Sequence, residues 1–181
     1  VPHMRVGAPR DGARLREVLR ECVEISHAPS MVRFPKGAVP ADIPAIERVA
    51  GVDILHRSAS KKVLLISVGA MAGMAIEVAQ IAQEQSIEIT VVDPVWVKPI
   101  SPTVISMCGE YSTVVVLEDG IKHAGIASAI SESLREAGIN CSLHSIGVPL
   151  EFIEHSKRNE ILDDLEITPA AIVQQIAGWV S

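Results

Sequence analysis

The chain has 181 residues, 48% hydrophobic and 21% charged, with 16 basic residues against 22 acidic ones and a net charge of -6. That balance excludes intrinsic disorder, and the excess of acid argues against a nucleic-acid surface, which concentrates Lys and Arg on one face. Aromatic residues make up only 3%, so Val, Ile, Leu and Ala must fill the core, as suits buried parallel strands packed between helices.

In chain order, Met4 to Ala8 is a short strand stopped by Pro9, and Asp11 is placed to cap a helix over Ala13 to Ser26. After a turn at His27 to Ser30, Met31 to Phe34 forms a strand closed by Pro35-Lys36-Gly37. Ala38 to Val49 holds two prolines and no clear period, which marks a linker over 38–51. Beyond it, strands and helices alternate. Ile54 to His56 is a short edge strand, and the unbroken apolar run Val63 to Val68 has the pattern of a buried one. A helix over Met71 to Gln85, a strand over Ile87 to Val92 and a short helix over Ser101 to Cys108 follow. The rest is a strand over Thr113 to Leu117, a helix over Gly125 to Ala137, a strand over Asn140 to Ile146, and helices over Ser156 to Asp163 and Pro169 to Val180. Short connections between alternating elements predict an α/β fold over 52–181, a three-layer αβα sandwich around a mostly parallel sheet. Residues 1–37 form a partial β-α-β piece, expected to be the end of another α/β unit whose further strands lie upstream. Val1-Pro2-His3-Met4 running straight into a strand fits a fragment or a processed product.

Cys22, Cys108 and Cys141 are far apart and odd in number, which suggests neither a disulfide framework nor a zinc knuckle and suits a reducing cytoplasm. The apolar stretch from Gly69 to Ala82 is too short to span a bilayer and contains Glu77 and Gln80. No signal peptide is visible at the N-terminus. Three segments could carry chemistry. Arg33 lies at the carboxyl end of a strand, where open α/β sheets bind ligands, and a guanidinium there can clamp a phosphate or carboxylate with two bonds. Lys36 would add a weaker, less directional charge. Taken alone, a surface Arg at a strand end is the simpler account of the pattern. The pair Glu118-Asp119 could ligate a metal, but only His123 lies nearby, so a strand-end Asp-Gly turn is the simpler account. Ser67 to Gly73 weakly echoes a glycine-rich phosphate loop without matching one, and close backbone packing explains its glycines better.

Together these segments resemble the 1-deoxy-D-xylulose-5-phosphate synthase family. Ala8-Pro9-Arg10-Asp11 and Pro29-Ser30-Met31-Val32-Arg33-Phe34-Pro35-Lys36-Gly37 are similar to the end of its pyrimidine-binding domain. Val63 to Gly69, Val91 to Ile100, Val116 to Gly120, Gly147-Val148-Pro149 and Phe152-Ile153 are similar to its transketolase-type C-terminal domain. The resemblance implies domain parts at 1–37 and 52–181 joined by the linker. It implies a thiamine-diphosphate- and Mg2+-dependent, cytoplasmic, homodimeric transferase, with no nucleic-acid or membrane partner. That enzyme joins pyruvate to glyceraldehyde 3-phosphate with release of CO2, feeding isoprenoid, thiamine and pyridoxal synthesis. The acceptor-phosphate role falls on Arg33, with Lys36 weaker. The family's diphosphate and magnesium motif, its activating Glu and its substrate-facing His and Asp have no counterpart here, so this chain alone is expected to bind neither cofactor and to be inactive. Where the family has a glycine-rich turn, this chain has Ala124-Gly125-Ile126-Ala127-Ser128, which puts the local backbone in question. Transketolases and β-subunits of 2-oxo-acid dehydrogenases share the looser strand-end theme, and a stand-alone non-catalytic α/β binding module is the other alternative.

Overall fold

The computed structural model describes residues 1–180. The first elements are β1 (Arg5–Gly7), α1 (Gly12–Glu24) and β2 (Ser30–Val32). Asp11 caps α1 as its position suggested, accepting a bond from the Arg14 N–H at 2.8 Å. Next come β3 (Glu47–Val49), β4 (Val52–His56), β5 (Val63–Ser67), a single 3-10 turn at Gly69–Met71, and α2 (Ala72–Glu84). The chain continues with β6 (Ile89–Asp93), β7 (Trp96–Lys98), α3 (Pro102–Cys108), β8 (Thr113–Ile121), α4 (Ile126–Glu136), β9 (Ser142–Val148), α5 (Arg158–Asp164) and α6 (Pro169–Val180).

Six strands form the main sheet in the order β3-β4-β6-β5-β8-β9. Its centre is parallel, with β5 between β6 and β8 and β9 beyond β8. The pleat sends alternate side chains to opposite faces. Val63, Leu65, Val91 and Val115 pack against α2 and α6, while Leu64, Ile66, Val92 and Val114 pack against α3 and α4. The result is the expected three-layer sandwich. Each fully buried Val, Leu or Ile contributes about 1.5–3 kcal/mol, and no side chain of β5 is exposed.

Three local expectations change. The stretch taken as a linker contains β3, which pairs antiparallel with β4 through a two-residue turn at Ala50-Gly51, both with left-handed backbone. Because β3 covers it, β4 is not an edge strand. It also runs antiparallel to β6, so the sheet is mixed on that side. Glu118-Asp119-Gly120 does not turn. It continues β8 past a register irregularity between Leu117 and Ile121, and β9 follows it to Val148.

The second sheet is small, in the order β2-β1-β7. β1 runs parallel to β2 and antiparallel to β7, a strand the sequence did not reveal, so residues from both ends of the linker share one sheet. Gly69 lets this unit approach the main sheet closely. Its φ is +56, and a Cβ there would lie 3.3 Å from the Ala8 carbonyl oxygen, which supports the packing account for Gly69, whereas a Cβ on Gly73 would meet only Ile43 at 4.0 Å.

Candidate functional site

Arg33 follows β2 directly, and its N–H donates to the Gly7 carbonyl at 2.8 Å. This bond fixes its backbone at the carboxyl end of the β1–β2 pair. The side chain reaches across to β8, where Nη1 lies 2.6 Å from Asp119 Oδ1. From the other side, Arg158, the first residue of α5, donates from Nη2 to Asp119 Oδ2 at 3.1 Å and to the Met71 thioether at 3.3 Å. One nearly buried carboxylate is thus shared by two arginines, whose side chains are 40% and 38% exposed. Lys36 is exposed and takes no part in these ion pairs.

The neighbouring acid has a different setting. Glu118 is buried, and its Oε2 accepts a bond from the Ile126 N–H at 3.3 Å. Burial pushes its carboxyl above the usual range, against the pull of that bond and of Arg33. Two glycines make room for it. A Cβ on Gly125 would sit 2.4 Å from Glu118 Oε1, and one on Gly147 would sit 3.2 Å from Glu118 Cγ. Just before Gly125, Ala124 takes a φ of +58, so the turn keeps left-handed backbone without a glycine there.

A second ionic cluster went unforeseen. Arg10, to which the sequence pattern assigns no role of its own, is buried. Its Nη1 donates to Asp53 at 2.6 Å and to Asp93 at 2.8 Å, and Nε and Nη2 donate to the Ile43 carbonyl. Asp53 also receives Arg48 Nε at 2.6 Å, and Arg14 Nε lies 3.1 Å from it. Burial opposes the charge on Asp53, but the bonds from Arg48 and Arg10 outweigh it and hold the carboxyl below its usual range. Burial dominates at Asp93 and pushes it up to about 6, although Arg10 and the Val95 N–H counter it. The signal in the sequence was an aspartate inside the apolar run Val52-Asp53-Ile54-Leu55, which requires a buried partner. The cluster anchors the 1–37 piece to the sheet.

Among the described residues no group of three His, Cys, Asp or Glu side chains could hold a metal ion, and no helix is long and apolar enough to cross a membrane. The three cysteines are unpaired, and burial pushes the Cys108 thiol up to about 12. The larger clefts lie away from Arg33. One of about 570 Å3 is bordered by His3, His27 and Lys98, and one of about 510 Å3 by His123, Arg135 and His144.

Residues 51–172 match the family model described as transketolase, C-terminal domain. A protein of Leifsonia xyli subsp. xyli named 1-deoxy-D-xylulose-5-phosphate synthase is 47% identical over 181 residues, covering 99% of this chain and 28% of that protein. One of the same name from Mycolicibacterium gilvum is 47% identical over 184 residues, covering 100% of this chain and 29% of its own length. The chain therefore spans less than a third of the curated relatives it matches. Among solved structures, a split gene transketolase described as an inactive β4 tetramer superposes with a TM-score of 0.82 at 24% identity, over 98% of this chain and 57% of that one. A transketolase mutant from Pichia stipitis gives 0.78 at 18% identity, over 99% and 25%. At these identities the solved structures speak for the fold alone.

Proposed function

Because this chain belongs to the transketolase C-terminal domain family, we propose that it is the C-terminal part of a 1-deoxy-D-xylulose-5-phosphate synthase. The parent enzyme joins pyruvate to glyceraldehyde 3-phosphate with loss of CO2. Relatives of that name, 47% identical across nearly the whole chain, support this reading over a dehydrogenase β-subunit or a stand-alone binding module. In it, residues 1–37 close a pyrimidine-binding domain, 38–51 link, and 52–181 form the C-terminal domain. The family-model match beginning at residue 51 supports the boundary, and β7 ties the two parts through the small β2-β1-β7 sheet. The parent works as a cytoplasmic homodimer with thiamine diphosphate and Mg2+. The family's diphosphate and magnesium motif and its activating Glu have no counterpart in this sequence, so in this reading both cofactors fall to other segments of the parent and this chain alone is expected to be inactive.

This chain's own contribution is Arg33. The observation that carries it is a half-exposed guanidinium, fixed through its backbone at the carboxyl end of a parallel strand pair, where α/β sheets bind ligands. It orients the acceptor aldehyde by its phosphate, and Lys36 adds a weaker charge at the rim. A charge-assisted contact of this kind contributes roughly 1.5–3 kcal/mol. In the full-length enzyme Arg33→Ala therefore lowers kcat/KM for glyceraldehyde 3-phosphate by about 10- to 100-fold, and Arg33→Lys recovers part of it. Use of an unphosphorylated aldehyde is unchanged. Equal losses with both acceptors would show that Arg33 supports the fold and not the phosphate.

A further inference from the structure

We propose that Arg158 is a second phosphate-binding residue, forming with Arg33 a two-arginine site bridged by Asp119. The proposal rests on the Arg33 reading above and extends it to a residue on a different element. Arg158 stands on the first turn of α5, far from the VRFPKG segment in sequence, yet it meets the same carboxylate.

Three features point the same way. First, two guanidiniums converge on one Asp119, and among the described residues the neighbouring Glu118 makes no ion pair with either. Second, neither arginine has used all of its donors. A guanidinium carries five N–H groups. Among the described residues Arg158 is engaged only through Nη2. Arg33 meets Asp119 at ion-pair distance, without the alignment of a hydrogen bond, so Oδ1 is buried and unsatisfied. Third, both side chains are more than one-third exposed while Asp119 is nearly buried. The acid lies beneath and the cations face outward, so an arriving anion meets the arginines first. A phosphate offers the same pair of adjacent oxygens that now bridges the two groups in Asp119, and planar guanidinium forks suit it. The acid serves to hold both forks on one surface before the anion arrives, which reduces the ordering needed on binding.

The test is a titration of the 181-residue chain with inorganic phosphate, following backbone amide and arginine Nε–H resonances by NMR. The wild-type chain gives a saturable response, and Arg158→Ala and Arg33→Ala each raise the Kd about five- to ten-fold. Arg158→Lys recovers part of that loss. Arg158→Gln, which retains donors and length without the charge, behaves like the alanine variant and covers the case in which Arg158→Ala loses its fold. Thermal melts of each variant separate a binding loss from a structural one. If Arg158 variants lower Tm or change nothing while the phosphate Kd stays at the wild-type value, and Arg33→Ala still weakens it, Arg158 is only a tie between α5 and β8. The Arg33 reading then survives. If Arg33→Ala also leaves the Kd unchanged, or the wild-type chain shows no saturable response, both fall together.

Discussion

Replacing Arg10 by Met keeps most of the side-chain volume and removes the charge. Two buried carboxylates and the Ile43 carbonyl then lose a donor. Asp53 retains Arg48 and Arg14, whereas Asp93 is left with the Val95 N–H alone. Breaking a buried ion pair from one side costs about 3–5 kcal/mol. In a chain of this length each kcal/mol moves Tm by roughly 2–4 °C, so the melt falls by about 6–20 °C. The deficit also depends on pH. Near pH 5 Asp93 is largely protonated in the native wild type, its carboxyl being pushed up to about 6, and Arg10 then faces one charge fewer. Near pH 8 Asp93 is ionised and the pairing is complete. Denaturant unfolding of wild type and Arg10→Met across that range therefore shows a deficit that grows with pH. A deficit below about 1 kcal/mol, or one that is flat with pH, would mean that Arg10 acts through packing alone and that the cluster is not the anchor described.

Two other outcomes follow from the same structure. Asp93 binds its proton more tightly folded than unfolded, so between about pH 4 and pH 6 wild-type stability falls as pH rises, by on the order of 2 kcal/mol, then levels off. Asp53 has the opposite sign and adds stability that is lost as pH falls below its usual range. Asp93→Asn flattens the pH 4 to 6 slope, and a slope retained in that variant would assign it elsewhere. Ala124→Gly relieves a left-handed alanine and stabilises the chain by about 0.5–1 kcal/mol, measured as a shift of the urea midpoint at constant slope. An unchanged or lower midpoint would show that the turn carries no strain.

The parts legible in the sequence were those with a strong local pattern. β5 announces itself by an unbroken apolar run, and α6 by its composition after Pro169. β3 and β7 have three residues each and owe their extended form to partners elsewhere, β4 and β1 respectively. No local pattern encodes that. The acid pair on β8 was misread because Asp-Gly ordinarily turns a chain, while here β8 resumes its pairing with β9 at Ile121, on the far side of the acids. Arg33 could be placed at a strand end, but its contact with Asp119 joins the two sheets and is set by how they pack. Arg10 was hidden by the general exposure of arginine, with only the aspartate in an apolar strand to hint otherwise.

β8 carries the core and the acid pair on one continuous strand. Thr113 to Leu117 lie in full register with β5, and Glu118 and Asp119 follow with no loop between. Most folds separate these tasks, with rigid strands below and variable loops above. Here the acidic anchor is held close to the sheet interior, because Glu118 fills the space left by Gly125 and Gly147 and both acids sit between positions paired with β9 at Leu117 and Ile121. Arg158 arrives instead at the end of a largely exposed connection from Pro149 to Lys157, which includes the wholly exposed Phe152. That segment can lengthen, shorten or change composition at little cost to the core. Diversification of this cluster is therefore lopsided. The carboxylate and Arg33 stay fixed at their strands while Arg158 can be exchanged beside them, so sequence change at this cluster concentrates in residues 149–158.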